Sequence, residues 1–261
     1  MKKFKVLLSV VFIILISVRN NYSQDSASVK IYDNLLHKYI VNGLVDYENL
    51  SKDNNLGKYI DALSKFDPGT LTNKNDRLAF WINAYNAYTL KAITDKYPIS
   101  SINDLHSGGR IIAHILKTTV WDKDFVVINN KKMTLNDIEH RIIRPKFKDP
   151  RVHFALVCGA MSCPPLRNEA YTGSKLDEQL NDQGKKFFAN PSLNSFDGKN
   201  YVAHLSKILD WYGSDFGNSD SQILLRIKSF LPKQIAESVN DNVDKWEIDF
   251  NSYDWKLNKI K

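Results

Sequence analysis

Apolar residues recur at helical spacing along most of the chain, and this pattern predicts seven helices. They cover residues 29–41, 56–66, 75–96, 135–143, 175–188, 205–212 and 219–231. Turn-forming residues between short apolar runs predict three β-hairpins, at residues 125–134, 196–202 and 246–257. Residues 44–47 and 152–158 are predicted to be extended. Because helices cluster before and after antiparallel strands, the pattern indicates an α+β fold.

The predicted helix at residues 75–96 differs from the others because its apolar side chains surround it instead of forming a stripe. A helix of this kind is usually buried on most sides. We therefore expect a buried central helix packed on a small, mainly antiparallel sheet. Asn83 and Asn86 lie on one flank of this helix, where each amide needs hydrogen-bond partners. They either fix a neighbouring backbone segment or form the polar wall of a binding site.

The N-terminus has the pattern of a secretory signal peptide: basic residues, then the apolar stretch Val6 to Val18, then a polar segment. This stretch is shorter than the roughly 20 apolar residues that span a bilayer, so we predict cleavage and no transmembrane anchor after it. Residues 1–23 are the predicted signal peptide and residues 24–261 a single globular domain with one core. The mature protein is then expected in the periplasm or outside the cell.

The charge of the chain changes once this segment is removed. The signal peptide carries four basic residues and no acidic ones, so the formal net charge falls from +7 to +3. With so mild a balance and no compact basic block, we expect no nucleic-acid partner. A peptide, a glycan or a small envelope ligand is compatible with the composition, and the oligomeric state is left open.

The helix predicted at residues 135–143 carries a carboxylate on its apolar side. Thr134 and Asp137 have the spacing of a capping box at its start. Glu139 lies within the apolar arc, where a carboxylate needs a partner, and His140 lies at the border of that arc. Glu139 is either an architectural residue paired with an arginine or a carboxylate that orients a catalytic group.

The segment 152–165 contains both cysteines of the chain. It begins as an apolar run that predicts a central strand and continues into a loop with glycine and two prolines. His153 and Cys158 would face opposite sides of a strand, about 16 Å apart, so the base for Cys158 would be His140. If Cys163 is the nucleophile, His153 is again a candidate. Alternatively, Cys158 and Cys163 form a disulfide; the spacing does not match a metal site, and no cofactor is expected.

Three runs carry a resemblance to a known family: residues 77–87 (RLAFWINAYNA), residues 135–140 (LNDIEH) with Arg144, and residues 151–160 (RVHFALVCGA) with Ser162-Cys163-Pro164. The chain resembles the domain of unknown function 547 (DUF547) family over about residues 35–216, with weaker support from residues 45–47 and from residues 210–212 with 215–216. The motif positions are Asn83, Asn86, Glu139, His140, His153 and Cys158.

The resemblance implies a relationship to papain-type and transglutaminase-like thiol enzymes. A transglutaminase-like nucleophile would lie at the start of the central helix, where this chain has Trp81-Ile82-Asn83 and no cysteine. The resemblance also implies that Cys158, more than Cys163, is the chemical residue.

Two functions follow from these residues. In the first, the protein is a thiol-dependent hydrolase or acyl transferase acting on an amide or ester: Cys158 attacks, His140 or His153 takes the proton, Glu139 orients the imidazole, and Asn83 or Asn86 holds the oxyanion. In the second, it is a non-catalytic peptide- or glycan-binding module. Its pocket would be lined by Asn83, Asn86 and Glu139, and a Cys158–Cys163 disulfide would close a loop.

Overall fold

The computed structural model of the chain describes residues 27–106 and 119–260. The predicted signal peptide, residues 1–23, lies outside the described residues. None of the helices in the described part is long and apolar enough to cross a membrane.

The N-terminal part is helical, as the sequence predicts. Helix α1 covers residues 27–39 and leads into a short hairpin of strands β1 (Ile40–Val41) and β2 (Leu44–Val45). Helices α2 (Tyr47–Leu50) and α3 (Asn55–Lys65) follow. Asn42 and Gly43 both have positive φ, which allows the tight turn between the two strands.

Helix α4 (Lys74–Thr94) is the central helix, and its burial confirms the sequence prediction. Every residue from Leu78 to Leu90 is buried, on all sides of the helix. The helix packs mainly against α2, α3 and the segment 137–143. The expected sheet beneath it is replaced, in the described residues, by three separate small sheets of two, two and three strands.

Two of the three predicted hairpins are confirmed. Strands β3 (Val126–Ile128) and β4 (Lys131–Met133) pair around Asn129 and Asn130, both of which have positive φ. Strands β5 (Ser195–Asp197) and β6 (Val202–Leu205) form the second antiparallel pair. The predicted hairpin at 246–257 is wrong, because strand β7 (Glu247–Phe250) pairs in parallel with β6 while residues 256 and 257 bridge Ser101 and Ala160.

The predicted strand at residues 152–158 is also wrong. Residues Pro150–Phe154 form a 3₁₀-helix. Asp149 caps its N-terminus, because the Asp149 carboxylate accepts a hydrogen bond from the Arg151 backbone N–H. Proline at the first helical position favours this start. Burial on all sides gives no periodicity that separates a strand from a buried helical turn. The expected separation of His153 and Cys158 along a strand therefore does not apply.

The segment predicted as a helix at residues 135–143 is a π-helix, Asp137–Ile143, which continues into α5 (Arg144–Phe147). Its capping box is confirmed: the Asp137 backbone N–H donates to Thr134 Oγ1, and the Thr134 backbone N–H donates to Asp137 Oδ2, both at 2.9 Å. Glu139 is buried, as its place in the apolar arc predicts. π-Helical segments are rare and occur frequently at functional sites.

The C-terminal part contains α6 (Leu176–Phe188), α7 (Lys207–Trp211), α8 (Gly213–Phe216) and α9 (Asp220–Ile227). A further helix, α10 (Lys233–Asn242), was not predicted. Buried side chains in the described residues form two clusters, one around the central helix and one around stacked phenylalanines, whereas one core was expected. Tyr253 packs against both clusters and lines the cavity described below.

Candidate active site

A cavity of about 1270 Å³ brings together residues from distant parts of the chain. Its walls come from the central helix, the π-helix, the segment after the 3₁₀-helix, helix α7 and the segment 253–255. All five residues that the sequence singles out as catalytic candidates line it: Glu139, His140, His153, Cys158 and Cys163. Volumes of this size accommodate substrates larger than a single small metabolite.

Cys158 and Cys163 are free thiols in this structure, so the predicted disulfide is not formed. The Cys158 backbone N–H donates to Cys163 Sγ at 2.8 Å. Gly159 makes this close loop possible: its φ is +86°, and a Cβ there would lie 2.5 Å from Ile93 Cδ1. Cys158 Sγ also lies 3.1 Å from the hydroxyl oxygen of Tyr253.

The surroundings of the two thiols push their pKa values in opposite directions. Burial by itself raises the pKa of Cys158, but hydrogen bonds from Cys163, Tyr253 and the Ala160 backbone stabilise the thiolate and bring that pKa below its ordinary value. Burial raises the pKa of Cys163, and the neighbouring Cys158 raises it further. Cys158 is therefore the sulfur that ionises, while Cys163 stays protonated beside it.

Tyr253 is the second donor to this thiolate. Burial, together with the nearby cysteines, raises the pKa of its hydroxyl well above the ordinary value. The hydroxyl therefore keeps its proton and donates to Cys158 Sγ. Hydrogen bonds to an ionised acceptor are stronger than those between neutral groups.

A second network holds His153. Its Nε2 lies 2.8 Å from Asp215 Oδ2, and Arg144 donates to both oxygens of the same carboxylate at 2.7 and 2.9 Å. The imidazole is buried and stacks on the Tyr212 ring, with 4.1 Å between ring centroids. Hydrogen bonds from His153 and Arg144 hold the pKa of Asp215 well below its usual range, so this carboxylate is ionised.

The hydrogen-bond partners of the two histidines place the ring proton on Nε2 in both, but they occupy different ring nitrogens. An ionised carboxylate only accepts, so Nε2 of His153 donates to Asp215, and Nδ1 of the neutral ring carries the lone pair. Arginine only donates, so Nδ1 of His140 accepts from Arg144 Nη1 at 3.0 Å, and the ring proton lies on Nε2. His153 is held with a basic nitrogen available, whereas His140 is held as a donor.

Glu139 does not orient an imidazole in the way we expected from the sequence. Its carboxylate lies near Tyr212. Burial raises the pKa of the Tyr212 hydroxyl far above its ordinary value, and the charge of Glu139 raises it further. The same Tyr212 ring stacks on His153, which links Glu139 to the imidazole through Tyr212. Asp215 occupies the position that Glu139 was expected to fill.

Asn83 and Asn86 lie outside the cavity lining and hold backbone segments in place. Asn83 Nδ2 donates to the Tyr171 carbonyl at 2.8 Å, and its Oδ1 accepts from the Tyr171 N–H at 2.9 Å. Asn86 makes the matching pair with the Ala155 carbonyl and the Val157 N–H, both at 2.9 Å. These contacts agree with the architectural interpretation of the two amides.

Asn86→Ala should destabilise the protein, because it leaves the Ala155 carbonyl and the Val157 N–H unsatisfied in the interior. We expect a loss of about 2 to 4 kcal/mol in the free energy of unfolding. Urea unfolding followed by circular dichroism measures it. Asn75→Ala, on the exposed first turn of the same helix, is the matched control and should change stability little. A loss at Asn86 no larger than at Asn75 would show that the two hydrogen bonds contribute nothing.

Two residues of this site were missed from the sequence as chemical groups, Asp215 and Tyr253. Asp215 lies 62 positions after His153, and Tyr253 lies 95 positions after Cys158. Residues 215–216 did form part of the weaker resemblance, which was the one available signal for Asp215. Within the described residues, no group of three or more His, Cys, Asp or Glu side chains is arranged to hold a metal ion.

The fold and the site together define an α+β protein with a buried central helix and a cavity that holds a cysteine pair beside a histidine–aspartate pair. The family model described as "Protein of unknown function, DUF547" matches residues 69–188, just under half of the chain. The matched region includes the central helix, the π-helix and both cysteines, but not Asp215 or Tyr253. No curated protein and no solved structure matches the chain.

Proposed function

We propose that the protein is a thiol-dependent hydrolase or acyl transferase that acts on an amide or ester bond. The observation that carries the proposal is the environment of Cys158: a sulfur lining a large cavity, hydrogen-bonded to Tyr253, in the same cavity as the imidazole of the His153–Asp215 pair. A cysteine, a histidine and a carboxylate that orients the histidine are the elements of nucleophilic acyl transfer.

In the proposed reaction, the Cys158 thiolate attacks the carbonyl carbon and forms a carbon–sulfur bond. The bond from that carbon to the leaving nitrogen or oxygen breaks, and the leaving group takes from His153 the proton that the imidazole received from the Cys158 thiol when the thiolate formed. Water, or an acceptor amine or alcohol, then gives a proton to His153, attacks the thioester and releases Cys158. Asp215 and Arg144 keep the imidazole in one orientation through both steps.

Tyr253 supports the same chemistry from the other side of the sulfur. Its protonated hydroxyl stabilises the thiolate before attack, and because it lies 3.1 Å from Cys158 Sγ we propose that it also donates to the carbonyl oxygen that becomes negatively charged. Asn83 and Asn86 no longer enter the proposal, because both amides bond to backbone groups. We also propose that the fold is related to that of papain-type enzymes. We further propose that the N-terminal signal peptide exports the protein, which would place the reaction in the periplasm or outside the cell.

The pH dependence of alkylation tests the proposal. Iodoacetamide should modify Cys158 first in the folded, reduced protein, and the rate should rise with pH through a midpoint below the reference thiol value of about 8.5. The midpoint is low because the thiolate is hydrogen-bonded. Peptide mass spectrometry assigns the modified residue, and the urea-unfolded protein is the control with ordinary thiols. A midpoint at or above the control value, or faster modification of Cys163, would refute the proposal.

A further inference from the structure

The wall of the cavity beside Cys158 contains three aromatic rings, one exposed and two partly buried. Trp211, Tyr253 and Trp255, here called the aromatic platform, have ring centroids 4.5 to 5.7 Å apart. Trp211 is 45% exposed, although large aromatic side chains are usually well buried. Aromatic surface left open inside a cavity marks a binding surface more often than a packing fault.

We propose that the aromatic platform is a carbohydrate subsite, and that the acyl group attacked by Cys158 is carried by a sugar ring. The second half of this statement rests on the proposed function; the first half does not. The link between the two is Tyr253, which belongs to the platform and whose hydroxyl oxygen lies 3.1 Å from Cys158 Sγ. A ring stacked on the platform therefore lies next to the reactive sulfur.

The platform is fixed relative to the cysteine loop by backbone hydrogen bonds. The Ser162 N–H donates to the Asp254 carbonyl at 3.2 Å, the Asp254 N–H donates to Ser162 Oγ at 2.8 Å, and the Met161 N–H donates to the Lys256 carbonyl at 2.8 Å. On its other side, Ser101 Oγ donates to the Trp255 carbonyl at 2.8 Å. A binding surface that is already ordered loses little conformational entropy when a ligand arrives.

Other lining residues favour a sugar over other ligands that would stack on tryptophan. Asp124, Thr134 and Asn136 contribute polar side chains to the cavity. A pyranose has apolar C–H faces and a rim of hydroxyls, so it suits rings together with carboxylate, hydroxyl and amide groups. An acyl chain would desolvate those polar groups without giving them hydrogen bonds.

A peptide is also a poorer fit. Extended peptides commonly bind by adding a strand to an exposed sheet edge. None of the described residues that line this cavity belongs to a β-strand, because they lie in helical segments and loops. Of the three ligand classes compatible with the composition, namely a peptide, a glycan or a small molecule, the cavity lining therefore favours the glycan.

Titration of a variant without the nucleophile tests the subsite apart from the chemistry. Cys158→Ala protein should bind the β-1,4-linked tetramer of N-acetylglucosamine saturably, measured by calorimetry and by tryptophan fluorescence. In the same background, Trp211→Ala should weaken binding about tenfold or more, and Trp211→Phe, which keeps a ring, should weaken it less. Leu225→Ala is the matched control, since Leu225 is an exposed apolar residue that does not line the cavity.

Three outcomes would overturn the proposal: no saturable binding of the tetramer, equal affinity in the Trp211→Ala and Leu225→Ala proteins, or tighter binding of an apolar peptide or a fatty acid at the same surface. If the Trp211→Phe protein binds the tetramer as tightly as the protein with Trp211, the aromatic platform is retained and the result supports the proposal. Because these titrations use protein without Cys158, their failure is distinguishable from failure of the thiol chemistry, which the alkylation rates of the wild-type protein report separately.

Discussion

Cys158→Ala is expected to abolish acylation of the protein by a simple activated ester, lowering the rate by on the order of 1,000-fold or more. The reason is that the attacking atom is gone, whereas its neighbours remain. The measurement is the burst of p-nitrophenol released from p-nitrophenyl acetate by purified protein. Stability should change little, because Cys158 is only partly buried and the deleted group is small.

The comparison with Cys163→Ala makes this result specific. That variant keeps the nucleophile but loses the hydrogen bond that lowers the pKa of Cys158, so its burst should be slower at neutral pH and recover as the pH rises. Equal bursts from the wild-type and Cys158→Ala proteins would contradict the assignment of the nucleophile. A burst lost only in Cys163→Ala would transfer the role to Cys163.

Asp215→Asn should lower the acylation rate by about 100- to 10,000-fold. The carboxylate holds the His153 proton on Nε2 and stabilises the imidazolium, and an amide in its place also loses the ion pair with Arg144. Burst kinetics across pH measure the effect. Asp210→Asn is the matched control, because Asp210 is an exposed aspartate that pairs with Lys207 at 2.7 Å and does not line the cavity. Similar rates in both variants would contradict the role of Asp215.

The same aspartate gives the direction of an acid-stability effect. Since the pKa of Asp215 is held below its unfolded value, its contacts stabilise the folded protein fully above the ordinary carboxyl pKa of about 4 and lose this effect as the pH falls through the lowered folded value. Asp215→Asn should therefore be less stable than the wild-type protein at neutral pH, with the difference shrinking in acid.

Helices were predictable where apolar residues repeat with a clear period, and turns where the turn chemistry is specific. Helix α3, which buries Leu56, Tyr59 and Leu63, and the hairpin around Asn129 and Asn130 are examples of each. Residues 152–158 were mispredicted because uniform burial removes the period. The Ala155 carbonyl and the Val157 N–H bond to the side chain of Asn86 and not to a neighbouring strand. The apolar alternation at 246–257 predicted extended segments but could not name their partners.

In the site, only the features that depend on residues close together in the sequence were predictable. Glu139 was identified because helical geometry puts it on an apolar face, and Cys158 because it precedes a glycine loop. The orientation of His153 depends on Asp215, which is distant in sequence, and the pKa of Cys158 depends on the equally distant Tyr253. Such contacts exist only after the two buried clusters pack together, so no spacing in the chain reveals them.

Trapping of the acyl group is the most direct test of the central claim, that Cys158 is the nucleophile of an acyl-transfer site. The wild-type protein is mixed with p-nitrophenyl acetate, quenched in acid during the burst, digested and analysed by peptide mass spectrometry. We expect an acetyl thioester on Cys158 that is absent from unfolded protein treated in the same way. Acetyl groups confined to lysines, or a Cys158–Cys163 disulfide in the purified native protein, would contradict it.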